Sequence, residues 1–271
     1  MTTPANRPCP EGLDQKTFDF YSRALTVLTE RRVPFLVGGA YAFERHTGIA
    51  RHTKDFDIFV HKRDCEATLA VLEAAGCRTD VTFSHWLAKA FRGDDFIDVI
   101  FSSGNGVAEV DDEWFEHAID ETVFCIPVKL CPVEETIWSK AFIMERERFD
   151  GADVAHLLRG VGTRIDWDRL LRRFGRHWRV LYAHLVLFGF IYPSDRDVIP
   201  EWVMKEFGSR IEKDTASPPP AERVCQGTIL SRGQYLTDVD QWNYADGRLA
   251  PQGTMTRQQI ARWTAAIDDA A

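Results

Sequence analysis

Arg51-His52-Thr53-Lys54-Asp55-Phe56-Asp57-Ile58-Phe59-Val60 sets two acids two residues apart inside an apolar run. Phe56, Ile58 and Val60 alternate with the acids, which is the period of a β-strand with one buried face. On such a strand Asp55 and Asp57 share a face, while Phe56 and Ile58 turn the other way into a core. Two carboxylates side by side repel and raise each other's pKa, a cost that a cation between them removes. Hard oxygen donors at that spacing suit Mg²⁺ or Mn²⁺: two ions, or one ion together with nucleotide phosphates. The same residues also fit two solvated acids at the start of a strand, because DxD recurs by chance in many chains.

The flanks add context. Upstream, Asp14 to Arg31 has helical spacing at Phe18, Tyr21, Ala24, Leu25 and Leu28. Pro34 to Val37 reads as a short buried strand that ends at Gly38-Gly39, with a helix expected over Ala40 to His46. Backbone N–H groups at such a helix start receive phosphates, and glycine lets them approach closely; a tight strand-to-helix turn needs the same glycines. Downstream, a helix is expected over Asp64 to Ala75 with Gly76 as its stop. Strands are expected at 81–83, at 88–91 and, after a Gly93-Asp94 turn, at 96–101. That last strand buries Asp98 between apolar neighbours, which is costly without a partner. Asp98 is a candidate third metal ligand or general base, or else an ion-paired or edge-exposed acid. Residues 102–106 read as a loop, 123–130 as one strand closed by Pro132, and 133–148 as a helix.

Taken together, Val37-Gly38-Gly39, the 51–58 stretch and the strand acid Asp98 resemble the DNA polymerase β-type nucleotidyltransferase superfamily. The R-x-T-x-D-x-D form is similar to the branch of minimal nucleotidyltransferases and AbiEii-like toxins. The resemblance covers residues 30 to 160. Two departures stand out: Gly39 and Ala40 offer only backbone where many members have a serine, and 15 residues separate Gly39 from Asp55. The resemblance implies transfer of an NMP group from an NTP substrate to a hydroxyl of RNA, protein or a small molecule. It implies Asp55, Asp57 and Asp98 as catalytic metal ligands for Mg²⁺ or Mn²⁺. Gly38, Gly39, Arg51, Thr53, Lys140, Arg146 and Asp153 are the candidate substrate-binding residues, with Lys140 on the phosphates and Asp153 orienting a catalytic group or helping to deprotonate the acceptor. Arg51 and Thr53 equally suit holding their loop, and the Lys140–Asp153 stretch equally suits a surface helix of Glu and Arg pairs. A catalytically silent, nucleotide-binding regulator is the alternative function, as is the toxin of a toxin–antitoxin pair with an antitoxin partner.

Beyond Asp150 the pattern turns helical. Arg159, Arg164, Arg169, Arg172, Arg173, Arg176, His177 and Arg179 cluster there with Trp167, Trp178 and Tyr182 interleaved. Such a cluster suits an RNA acceptor end or a solvated helix face paired with acids. Ser217-Pro218-Pro219-Pro220 is the clearest break, and Tyr235, Trp242, Tyr244 and Trp263 suggest a tail packed on the body. The expected fold is α+β: an α/β-type nucleotidyltransferase core with a mixed sheet, then a mainly helical C-terminal region. The expected divisions are a flexible leader at 1–12, a catalytic domain at 13–160 and a helical domain with an aromatic-rich tail at 161–271.

Composition sets the outer limits. The 271 residues are 45% hydrophobic and 27% charged, enough for a substantial core. A net charge of −8 argues against general nucleic-acid affinity. No apolar run reaches membrane-spanning length, and Met1 to Gly12 lacks the apolar segment of a signal peptide. A cytoplasmic location is expected on those grounds; six scattered cysteines form no CxxC pair, which argues against a zinc knuckle, and a reducing compartment is the simplest reading of them. Cys125 and Cys131 are expected in the core. His46, His85 and His156 show no metal-ligand spacing.

Overall fold

The computed structural model describes residues 13–50 and 55–267. The leader at 1–12 and the loop carrying Arg51 and Thr53 lie outside the described residues. The chain divides into two compact units, one reaching Gly104 and resuming over Glu109–Pro132, the other made of Asn105–Ala108 and the chain from Val133 onward. The division thus falls at 132/133, whereas the sequence suggested 160: the chain from Val133 to Val161 packs among the later helices.

In the first unit, α1 (Gln15–Glu30) starts at Asp14, whose carboxylate accepts from the backbone N–H groups of Lys16 and Thr17. Then follow β1 (Leu36–Val37), α2 (Gly39–Thr47), β2 (Asp55–Phe59), α3 (Cys65–Ala74), β3 (Arg78–Phe83), β4 (Leu87–Arg92), β5 (Asp95–Ile100), α4 (Asp112–Glu116), β6 (Ile119–Val123) and β7 (Ile126–Leu130). The strands form one seven-stranded sheet in the order β3-β4-β5-β2-β1-β7-β6. It is mixed: β2 runs parallel to β5 and β1 parallel to β7, and the remaining pairs are antiparallel.

The alternation in β2 is the one expected. Phe56 and Ile58 are fully buried, and Asp55 and Asp57 are half-buried on the opposite face. Phe56 joins an aromatic cluster beneath α1, with ring centroids 5.0 Å from Tyr21, 5.0 Å from Tyr41 and 5.8 Å from Phe124. This cluster anchors the acid-bearing strand from behind.

The single strand expected at 123–130 is instead a hairpin, β6–β7, turning at Phe124 and Cys125 with φ of 52° and 59°. Two positive φ values are what a two-residue hairpin turn requires, usually met by Asn-Gly. Here no such signal exists, and packing stabilises the turn: Phe124 is buried in the aromatic cluster, 5.2 Å from Phe18. Cys125 therefore sits at an exposed turn, correcting its expected place in the core, while Cys131 is buried. Its carbonyl is bonded by His46 Nε2 at 2.9 Å, a structural role for that histidine.

The second unit contains α5 (Val133–Lys140), α6 (Gly151–Val161), α7 (Trp167–Phe174), α8 (Trp178–Ile191), α9 (Glu201–Ala216), β8 (Val224–Cys225), α10 (Leu236–Asp240), β9 (Ala245–Asp246) and α11 (Arg257–Ala265). The helix expected over 133–148 ends at Lys140. Met144 and Phe149 then form an isolated antiparallel bridge, and the Asp150 N–H bonds the Ile143 carbonyl at 3.0 Å. Tertiary ion pairs outweigh helix propensity there: Glu145 takes Arg232 at 2.8 Å, and Lys140 takes Asp150 and Asp153. The tail packs through Met255 and Trp263, whereas Trp242 is exposed and Tyr235 and Tyr244 are half-buried. Among the described residues no helix is long and apolar enough to cross a membrane.

Candidate active site

Three acids meet on one face of the first unit's sheet. Asp57 on β2 stands directly opposite Asp98 on the parallel neighbour β5, and Asp55 lies two residues along the same face. One carboxylate oxygen from each comes within 4.8 Å of the others, and all three residues are half-buried. Among the described residues this is the group of His, Cys, Asp and Glu side chains close enough together to hold a metal ion. Its donors are all carboxylate oxygens, the set that Mg²⁺ and Mn²⁺ prefer.

A fourth group completes the electrostatics. Lys89 on β4 pairs across the strand with Asp98, its Nζ 2.8 Å from Asp98 Oδ1 and 4.0 Å above the Phe96 ring. Burial pushes the Asp98 carboxyl above the usual carboxylate range, Lys89 pulls it back, and the Asp55 charge pushes it up again. Asp98 is thus both ion-paired and a member of the acid cluster; the two readings open in the sequence coexist. Sequence reasoning passed over Lys89. The signal available was a lone lysine in the apolar strand Leu87-Ala88-Lys89-Ala90-Phe91.

Gly38 and Gly39 form the edge of the site. The Gly38 N–H donates to the Asp57 carbonyl at 3.0 Å, and Gly38 caps α2 without any side-chain bond. Gly39 opens α2 with φ of 54°, and a Cβ there would lie 1.8 Å from Asp57 Oδ2. The Asp57 carboxylate therefore rests against the first residue of a helix, where the backbone presents N–H groups and positive potential.

The remaining candidates divide. Lys140, Asp150 and Asp153 form a cluster within the second unit, with Lys140 Nζ 3.1 Å from Asp150 and 2.8 Å from Asp153, and Arg148 bonding Asp150 at 2.9 and 3.0 Å. Asp150 lies below the usual carboxylate range: its burial raises it, and the bonds from Arg148 and Lys140 more than offset that. Arg146 is exposed beside Glu147.

The arginine-rich stretch is not one open basic face. Arg169 is buried against Glu134, and Arg173 donates to Glu135 Oε1 at 2.9 Å. Glu135 is fully buried, and its carboxyl is raised by that burial against the pull of both arginines. Outside this network, Arg159 pairs with Asp195 at 3.0 Å and Arg179 pairs with Asp214. Four of the seven arginines in this stretch thus pair with acids of the same unit, as the second reading of the sequence had it, and the buried pair Arg169 and Arg173 is matched because a guanidinium is too costly to bury alone.

No family model matches the chain, and no curated protein matches it. Solved structures do. The solution structure of the antibiotic-resistance factor ANT(2'')-Ia matches at 17% identity over 64% of this chain and 98% of that one, with a TM-score of 0.46. The lincosamide antibiotic adenylyltransferase LnuA, bound to lincomycin, matches at 13% over 54% and 96%, with a TM-score of 0.38. An antigenic nucleotidyltransferase-like protein from Paracoccidioides brasiliensis matches at 14% over 64% and 93%, with a TM-score of 0.35.

Proposed function

We propose that the chain is a metal-dependent nucleotidyltransferase that moves an NMP group from an NTP to a hydroxyl acceptor and releases pyrophosphate. The observation that carries this reading is the convergence of Asp55, Asp57 and Asp98 within 4.8 Å, beside the Gly38-Gly39 helix start. Asp55, Asp57 and Asp98 would hold Mg²⁺ or Mn²⁺, which supplies neutralisation of charge on the reacting phosphoryl group and alignment of the attacking oxygen. The acceptor oxygen forms a bond to the α-phosphorus as the bond from that phosphorus to the β-phosphate oxygen breaks. The acceptor proton passes to Asp98, and pyrophosphate leaves. Lys89 holds the Asp98 carboxylate in position through its 2.8 Å ion pair. Backbone N–H groups at the start of α2 suit a phosphate without a serine hydroxyl. Arg51, Thr53, Lys140, Arg146 and Asp153 remain the candidate contacts to substrate.

The test offers the purified chain labelled NTPs, Mg²⁺ or Mn²⁺, and a panel of aminoglycoside, lincosamide, RNA and protein acceptors. Label transfer should require the metal and fall by about 10²–10³-fold in Asp57→Ala, the several kcal/mol that a bound metal contributes. Nucleotide and metal binding in calorimetry without transfer to any acceptor would favour the silent, regulatory alternative. Growth arrest on expression, relieved by a second gene product and abolished by Asp57→Ala, would add the toxin role that the R-x-T-x-D-x-D form suggests.

A further inference from the structure

We propose that the second unit carries its own binding pocket for a small organic anion with a planar, apolar part. The pocket has a volume of about 240 Å³ and lies wholly within that unit. That is below the ~300–1,000 Å³ of drug-sized sites, which suits a metabolite smaller than a nucleotide.

Its lining has an unusual charge. Three arginines, Arg173, Arg176 and Arg248, face it with His177, and none of its fourteen lining residues is acidic, in a chain whose net charge is −8. Two of the arginines are fixed by acids behind the wall. Arg248, fully buried, is gripped by Asp246 at 2.7 to 3.2 Å, and Arg173 by Glu135. Arg176 differs: its described partners are the Gln252 carbonyl and His177 Nε2, neither of them charged to oppose it. Burial first and Arg176 second push the His177 pKa down to about 4, so the imidazole is neutral at pH 7 and adds no competing cation. The cationic rim therefore holds charge that a ligand can neutralise.

A second observation points the same way. Trp138 lines the pocket at 8% exposure, and its Nε1–H has no acceptor among the described residues. A buried donor without a partner is costly, and an anionic oxygen would satisfy it. Trp138 and Phe174, both among the lining residues, supply the apolar surface that a planar group needs. The inference is independent of nucleotidyl transfer, since no residue of the acid cluster takes part.

Phenyl phosphate and benzoate are the probes, with phenol and benzylamine as neutral and cationic controls. The full chain is titrated by calorimetry and by the indole ¹H–¹⁵N spectrum, the Trp138 resonance being assigned by its loss in Trp138→Phe. The expected result is saturable one-to-one binding of at least one anion, with the Trp138 indole signal shifting. Binding should weaken about tenfold in Arg176→Gln and in Trp138→Phe, the worth of one charge-assisted hydrogen bond, and persist in Asp57→Ala. The thermal unfolding midpoint of Arg176→Gln, an exposed residue, checks that the variant folds. Failure of both anions to bind, equal binding of benzylamine, or unchanged affinity in Arg176→Gln would overturn the proposal.

Discussion

Gly39 carries two constraints at once: a φ of 54° and the Asp57 carboxylate where a Cβ would stand. Gly39→Ala must therefore move either the start of α2 or the acid. The variant is expected to lose about 1–3 kcal/mol of stability in chemical denaturation, the scale of a strained backbone position, and to lose label transfer with it. The two acids and Asp98 were legible in the sequence from strand period and the cost of a buried charge, and the glycine pair from its place between a short strand and a helix. Lys89 was not, because its role is set by the register that puts it opposite Asp98, nine residues on, in a neighbouring strand.

Among the elements, the hairpin between β6 and β7 shows where linear pattern fails. Its turn has Phe and Cys where Asn-Gly is usual, so local preference opposes the conformation and tertiary packing imposes it. Two substitutions separate these forces. Phe124→Ala removes a buried ring from the cluster around Phe56 and should cost about 3–5 kcal/mol in urea denaturation. Cys125→Gly relieves a positive φ at an exposed site and should be neutral or stabilising by up to about 1 kcal/mol. The early end of α5 has the same origin: Lys140, Glu145 and Asp150 commit to partners that a continuous helix could not reach. By contrast α1, with Asp14 as its cap, and the alternating β2 follow local signals closely, and the sequence predicts both within a residue or two.

At the scale of the whole molecule, the basic stretch looked like an external surface because one-dimensional charge density does not reveal which side chains turn inward. Glu134 and Glu135, more than thirty residues upstream of their arginines, absorb Arg169 and Arg173. Two histidines, His177 half-buried and His184 buried, make the second unit sensitive to acid. His177 is held down to about 4 by burial and then by Arg176, and burial lowers His184 too, so unfolded chains bind protons that the native state does not. Stability from this source is complete above the unfolded histidine value of about 6.5 and is lost as pH falls through about 4. His177→Phe should flatten the denaturation free energy across that window, leaving the remainder to His184.

The three acids are expected to act as one divalent-ion site that takes up a nucleotide. Electron paramagnetic resonance of Mn²⁺ titrated into the protein with ATP, read against the same titration of Mn²⁺ and ATP without protein, measures this, because free Mn²⁺ loses signal on binding to either. Saturable, nucleotide-enhanced Mn²⁺ uptake is expected in the natural sequence, and its loss in both Asp57→Ala and Asp98→Asn. Mn²⁺ uptake of equal strength in those variants, or none in the natural sequence with ATP present, would contradict it.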